Sequence, residues 1–260
     1  MTKRFNTVLA LTAMLAVPTG MAGSGSSGEP ARPTVSVGPA INPAKAVPYT
    51  MTGVVKDAQG KPLEGVQVLA SNTLYSGSVV GYTDANGRYS LKLPQLIGTW
   101  APVTRITRTS SGQAHELPLF PLNTQTFAGS EGAVRDFVWK ISGKTPTGGS
   151  YGASLWVNRS FSGEDFEVSR LELELVPVSL ADGSKGRALT VRYDNGAIPD
   201  VPLGRFTVTA TYRPESGPPR RMLVRQRGDK TYREAATVEF QYIAGMGLIY
   251  SLEAELPAKP

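Results

Sequence analysis

From Tyr49 onward the chain consists of short runs of β-branched and aromatic residues, broken by turn residues about every 8–12 positions, and no stretch shows a helical period. A chain patterned in this way is confined to all-β sandwiches or barrels. Composition supports many turns: Gly and Pro supply 28 and 20 of the 260 residues, enriched but short of the roughly 25–30 % that marks low complexity. Strands are predicted at Thr50 to Lys56, around Val66, Val68 and Ala70, at Val79 to Thr83 and at Arg88 to Leu93. Asp84-Ala85-Asn86-Gly87 separates the last two, and Asn-Gly tolerates the positive φ of a tight turn. A hairpin across Ser110-Ser111-Gly112 joins Val103–Arg108 to Glu116–Phe120, and Val134–Ile141 closes the region.

Residues 142–152, Ser-Gly-Lys-Thr-Pro-Thr-Gly-Gly-Ser-Tyr-Gly, have little that can pack and much that can turn, and they read as an internal boundary. Seven further strands follow: Ala153–Val157, Glu167–Val176, Ala188–Tyr193, Phe206–Tyr212, Arg221–Arg225, Thr237–Tyr242 and Ile249–Glu255. The predicted fold class is therefore all-β, with two consecutive antiparallel β-sandwich domains at 49–141 and 153–260. One long sandwich, its second half completing the first, satisfies the same pattern.

The N-terminus has the build of an export signal. Lys3 and Arg4 precede an apolar run from Val8 to Val17, and small residues at Gly20 and Ala22 predict cleavage before Gly23. The run is about ten residues, half of the roughly 20 needed to span a bilayer, so residues 1–22 are expected to be a signal peptide and the mature chain to lack a transmembrane segment. Retention as an anchor is the alternative. Residues 23–48 are rich in Gly and Ser, then in Pro, as in a linker. The expected location is a bacterial periplasm, cell surface or the medium.

Two absences narrow the chemistry. With no Cys there is no disulfide framework, thiolate site or cysteine nucleophile, and with His115 alone there is no multi-histidine metal centre. No cofactor is expected, since phosphate-loop and dinucleotide fingerprints are missing. Gly148-Gly149-Ser150-Tyr151-Gly152 matches a nucleophile-elbow pattern, but its flanks are linker and strand, and its base would have to be His115, expected in an exposed hairpin near Ser111. Glu164, Asp165 and Glu167 with Asp194 or Asp200 could form a glycosidase pair, although sequence spacing alone assigns none.

Three segments resemble the carboxypeptidase regulatory-like family, which is transthyretin-like: Gly53-Val54-Val55-Lys56-Asp57, then Gly60-Lys61-Pro62-Leu63-Glu64-Gly65-Val66-Gln67-Val68, then Thr83-Asp84-Ala85-Asn86-Gly87-Arg88-Tyr89-Ser90-Leu91. The resemblance covers about 45 residues closely and implies, over 49–141, a prealbumin-like Greek-key sandwich without the peptidase's zinc site. In such a sandwich Gly60 and Gly65 serve turns, Asp84 bonds turn amides, and the Tyr89 hydroxyl reaches backbone. Val201 to Ala210 resembles a late strand of prealbumin-like and adhesin sandwiches.

What remains for function is surface recognition. Trp100 and Tyr75 fall in loops at one predicted end and are candidate stackers for a sugar face, whereas Trp139 reads as core and Trp156 could face either way. Arg220, Arg221, Arg225 and Arg227 belong to a basic cluster with Arg213, Lys230 and Arg233, fitted to an anionic surface or else a solvated edge hairpin. Without residues 1–22 the chain carries 25 basic against 21 acidic residues, too mild a balance for a nucleic-acid binder. The reading is an exported, non-enzymatic structural or adhesive module of the bacterial envelope, partnered by envelope polysaccharide or another envelope protein. A carbohydrate-binding module using the loop aromatics is the alternative, and a polysaccharide hydrolase the third.

Overall fold

The computed structural model describes residues 45–194 and 196–258. The expected signal peptide at 1–22 and most of the expected 23–48 linker lie outside the described residues. Nineteen strands follow in chain order. The first region holds β1 (Thr50–Asp57), β2 (Gln67–Asn72), β3 (Ser78–Tyr82), β4 (Arg88–Lys92), β5 (Thr99–Ser110), β6 (Gln113–Leu119), β7 (Phe127–Ala128), β8 (Ala133–Val134) and β9 (Phe137–Trp139). The second holds β10 (Ala153–Arg159), β11 (Leu171–Leu180), β12 (Leu189–Arg192), β13 (Ala197–Val201), β14 (Gly204–Tyr212), β15 (Arg220–Arg221), β16 (Leu223–Gln226), β17 (Ala235–Glu239), β18 (Gln241–Ile243) and β19 (Gly247–Glu255). No described helix is long and apolar enough to cross a membrane.

These strands make two consecutive sandwiches. In the first, a sheet ordered β4-β1-β8, with β9 also on β1, faces a sheet ordered β3-β2-β5-β6, with β7 also on β5. In the second, β13-β10-β19-β16, with β18 on β19, faces β12-β11-β14-β15, with β17 on β14. No sheet mixes strands of the two regions, so the single-sandwich alternative does not hold. Alternation builds each core: β11 buries Leu171, Leu173 and Leu175 and turns Glu172 and Glu174 outward.

Pairing is antiparallel with one repeated exception. The first strand of each sandwich lies parallel to the last: Met51 and Thr52 pair Ala133 and Val134, Val55 to Asp57 pair Phe137 to Trp139, and Ser154 to Arg159 pair Ile249 to Ala254. Two strands expected to be continuous are instead split where they cross between sheets. At Met222 the chain leaves β14 for β19, and at Phe240 it does so again; both side chains are buried at these corners.

The turns of the first sandwich follow from their residue types. Asp84 accepts the backbone N–H groups of Asn86 and Arg88 at 2.8 Å, and Gly87 sits at φ +70° with its carbonyl accepting from Val55 at 2.8 Å. Asp57 likewise holds Gln59 and Lys61, with Gly60 at φ +86°. The Tyr89 hydroxyl donates to the Arg135 carbonyl at 2.5 Å, and its burial pushes its pKa far above the ordinary tyrosine value. In the second sandwich Tyr250 plays a comparable part, donating to the Pro202 carbonyl at 2.6 Å and accepting from the Gly204 N–H at 2.9 Å.

Candidate functional site

The sequence places Trp100 and Tyr75 together as exposed stackers; the structure separates their roles. β5 begins at Thr99, so period-two alternation turns Trp100, Pro102, Thr104 and Ile106 inward, and Trp100 is only 1 % exposed. Its indole lies against Gly129 and has no open face for a ligand. Tyr75 remains 52 % exposed in the β2–β3 turn. Asn72 builds that turn: its Oδ1 accepts from the N–H groups of Leu74 and Tyr75 at 2.9 and 3.0 Å, and its Nδ2 donates to the Ile97 carbonyl at 3.3 Å. The exposed Leu74, Leu96 and Ile97 share this end of the sandwich with Tyr75. The surface here is apolar and structurally fixed, and it carries a single aromatic platform.

The basic cluster is partly neutralised by its own neighbours. Arg213 grips Glu172 with two bonds at 2.9 and 2.6 Å, which holds the Glu172 carboxyl below its usual pKa. Arg220 donates to Glu164 and to the Pro257 carbonyl, both at 2.5 Å. Arg225 donates to Glu253 at 2.7 Å and lies 4.2 Å over the Tyr232 ring, whose hydroxyl shares Glu253 at 3.2 Å. Arg221 and Arg227 are exposed and make no ion pair among the described residues. Of the four expected anion-binding arginines, two thus hold the second sandwich together and two remain free to meet a charged surface.

Four of the five acids considered for glycoside chemistry are engaged separately, and the fifth, Asp194, is exposed. Glu164 pairs with Arg220, Asp165 with Arg159 and Glu167 with Arg170. Asp200 is structural: its carboxylate accepts the Gly143 N–H at 2.8 Å and the Gly152 N–H at 3.0 Å, from a backbone held at φ +59°. Ser150 lies in the segment between the sandwiches and is followed by strand β10, not by a helix. No group of three or more His, Cys, Asp or Glu able to hold a metal occurs among the described residues.

His115 is not exposed as expected. β6 alternates His115, Leu117 and Leu119 inward, and His115 is 6 % exposed, its Nε2 3.2 Å from the Ser110 carbonyl and its ring 5.6 Å from that of Phe240. This contact belongs to the meeting of the two sandwiches. Around it, Ser110 Oγ donates to the Phe240 carbonyl at 2.7 Å, the Ser111 N–H donates to Glu239, and the Leu203 N–H donates to the Ile141 carbonyl at 3.0 Å. Residues 142–152 add their own order: Thr145 closes a turn onto Gly149, Tyr151 packs edge-on to Phe120 at 5.7 Å, and Asp200 clamps both ends. The segment read as a loose linker is thus fastened at several points. Asp200→Ala is expected to cost about 1–3 kcal/mol and to speed amide exchange at Gly143 and Gly152, whereas Asp200→Asn keeps an acceptor oxygen and most of the protection. Hydrogen-exchange mass spectrometry reads both.

Comparison with known proteins adds distant likenesses only. No protein-family model matches the chain, and no curated protein matches it. Among solved structures, the Bacillus anthracis TIE protein is 15 % identical over 80 % of this chain at a TM-score of 0.36. The shaft pilin SpaA from Lactobacillus rhamnosus GG is 9 % identical over 82 % of this chain and 100 % of its own, at 0.22. The pilus adhesin SpaC from the same organism is 9 % identical over 83 % of this chain and 30 % of its own, at 0.27. The chain spans about a third of the TIE protein, 34 % of its length. Likenesses at these scores transfer no function.

Proposed function

We propose that this chain is an exported, non-enzymatic structural or adhesive module of a bacterial cell envelope, with a first sandwich of the carboxypeptidase regulatory-like, transthyretin-like kind. The family reading is supported by the three motif segments and by the turn bonds of Asp57 and Asp84 and the Tyr89 hydroxyl bond within them. The export reading is supported by Lys3, Arg4 and the apolar run behind them.

The observation that carries the structural role is the parallel pairing of first and last strands in both sandwiches. The chain enters each sandwich at the start of one strand and leaves at the end of its parallel neighbour. Tension along the chain therefore shears all the bonds of that ladder together, instead of opening them one by one. The fastened junction passes the tension on from Trp139 to Ala153 without a slack tether.

Single-molecule pulling on the chain from its two ends tests this. Two discrete high-force unfolding events per molecule are expected, one for each sandwich, and a proline in place of Asn158, whose N–H faces β19 in step with the Ser160 N–H that donates to the Ala254 carbonyl, should lower only the second. Gradual extension at low force would sink the role as a tension element. The adhesive arm is tested by retention of the chain without residues 1–22 on isolated envelope and insoluble polysaccharides. Salt-sensitive retention lost on charge reversal at Arg221 and Arg227 would assign it to the free basic edge, and polymer turnover would favour the hydrolase instead.

A further inference from the structure

Sheet edges expose unpaired N–H and C=O groups, and proteins that stay monomeric block them with charge, proline or shortness. Most edges here are blocked in this way. β4 carries Arg88 and Lys92, β6 has Glu116 and Pro118, β12 has Arg192, β13 has Pro199 and Asp200, β16 has Arg225 and β17 has Glu239. β3, with the sequence Ser78-Val79-Val80-Gly81-Tyr82, is the one described edge strand of four or more residues with neither a charge nor a proline. It sits inside the longest uncharged run of the described chain, the nineteen residues from Gly65 to Thr83.

The free groups of this edge can be assigned. The Asn72 N–H donates to the Gly77 carbonyl at 3.0 Å, and alternation along an antiparallel ladder makes Ala70–Val79 and Val68–Gly81 the next bonded pairs. The N–H and C=O groups of Ser78, Val80 and Tyr82 consequently point away from β2. Exposed apolar side chains gather along the same edge: Val80, Tyr82, Leu74, Tyr75, Leu96 and Ile97 are six of the eight exposed large hydrophobics in residues 45–152.

We infer that β3 is the seam of a homodimer, in which two copies pair their β3 strands antiparallel about a two-fold axis at Val80. The occupant is a second copy because the edge is compatible with itself. A two-fold axis sets each residue against its own kind or its mirror position, so any charge near the axis would meet a like charge. Here Val80 faces Val80 and Ser78 faces Tyr82, six backbone groups on each copy find partners, and the two apolar rims meet. The sheet ordered β3-β2-β5-β6 then runs on into its counterpart. This inference stands independently of the envelope reading.

The test is sedimentation equilibrium on the chain without residues 1–22, a segment outside the described fold. A concentration-dependent dimer is expected. Val80→Lys and Val80→Glu each place a like charge against itself and should weaken the dimer about tenfold or more, while Thr107→Lys, on the same sheet face but away from the edge, should not. Mixing the Lys and Glu variants should restore dimers, because opposite charges then meet across the axis. That rescue also shows both variants folded. A chain monomeric up to its solubility limit, a dimer indifferent to Val80→Lys, or a failed rescue between variants with unchanged melting would each overturn the inference.

Discussion

Gly53→Val should abolish the folding of the first sandwich. Gly53 sits in the middle of β1, and a Cβ there would lie 1.9 Å from the Arg135 carbonyl oxygen and 2.6 Å from its carbon. Neither atom can yield. The Arg135 N–H donates to the Thr52 carbonyl at 2.7 Å, and the Arg135 carbonyl receives the Tyr89 hydroxyl, so shifting this residue breaks bonds to both neighbours. Overpacking of this severity, against backbone and not a pliable side chain, is expected to cost more than about 5 kcal/mol, the whole stability of a domain at the low end of the ordinary range. Gly81→Ala is the matched control, for the atom in its way is the end of the flexible Leu91 side chain at 2.4 Å. Chemical denaturation should show the first transition lost for Gly53→Val and only modestly moved for Gly81→Ala. A Gly53→Val chain melting like the unsubstituted protein would refute the close approach of β1 and Arg135.

Phe240→Ala is expected to weaken the second sandwich and the junction together. Phe240 is 2 % exposed at the corner where the chain changes sheet, with its ring 6.3 Å from Tyr250 and 5.6 Å from His115. Its removal leaves a cavity beneath both, at a cost of about 3–5 kcal/mol. The transition of the second sandwich should then fall to lower denaturant, and solution scattering should report a wider spread of end-to-end distances. A lowered melting point with unchanged scattering would confine Phe240 to the core of its own sandwich.

The sequence made the class of fold and most strands legible because half-buried strands repeat every two residues, as in Leu171, Leu173 and Leu175. The same rule, carried far enough, would have placed the two residues misread as exposed. Trp100 lies two steps from Pro102 and four from Thr104 on the inner face of β5, but Gly98 and Pro94 before it draw the strand start downstream to Val103. His115 shares its face with Leu117 and Leu119, and only its polarity argued for water. The split strands at Met222 and Phe240 left no local trace, since a strand that changes sheet keeps its period and changes only its partners. Of the basic cluster, sequence identified the residues but not their partners: Glu164 and Glu253 lie 56 and 28 positions from the arginines they bind.

The parallel pairing of first and last strands also sets the order of events in folding. Met51 must wait for Ala133, 82 residues behind it, and Ser154 for Ile249, 95 residues behind. Contacts of such long sequence separation make for slow, late closure, because the whole intervening loop must be ordered before they form. A chain delivered N-terminus first therefore cannot lock either sandwich until that sandwich's final strand has arrived, and until then its local hairpins stand open along the first strand.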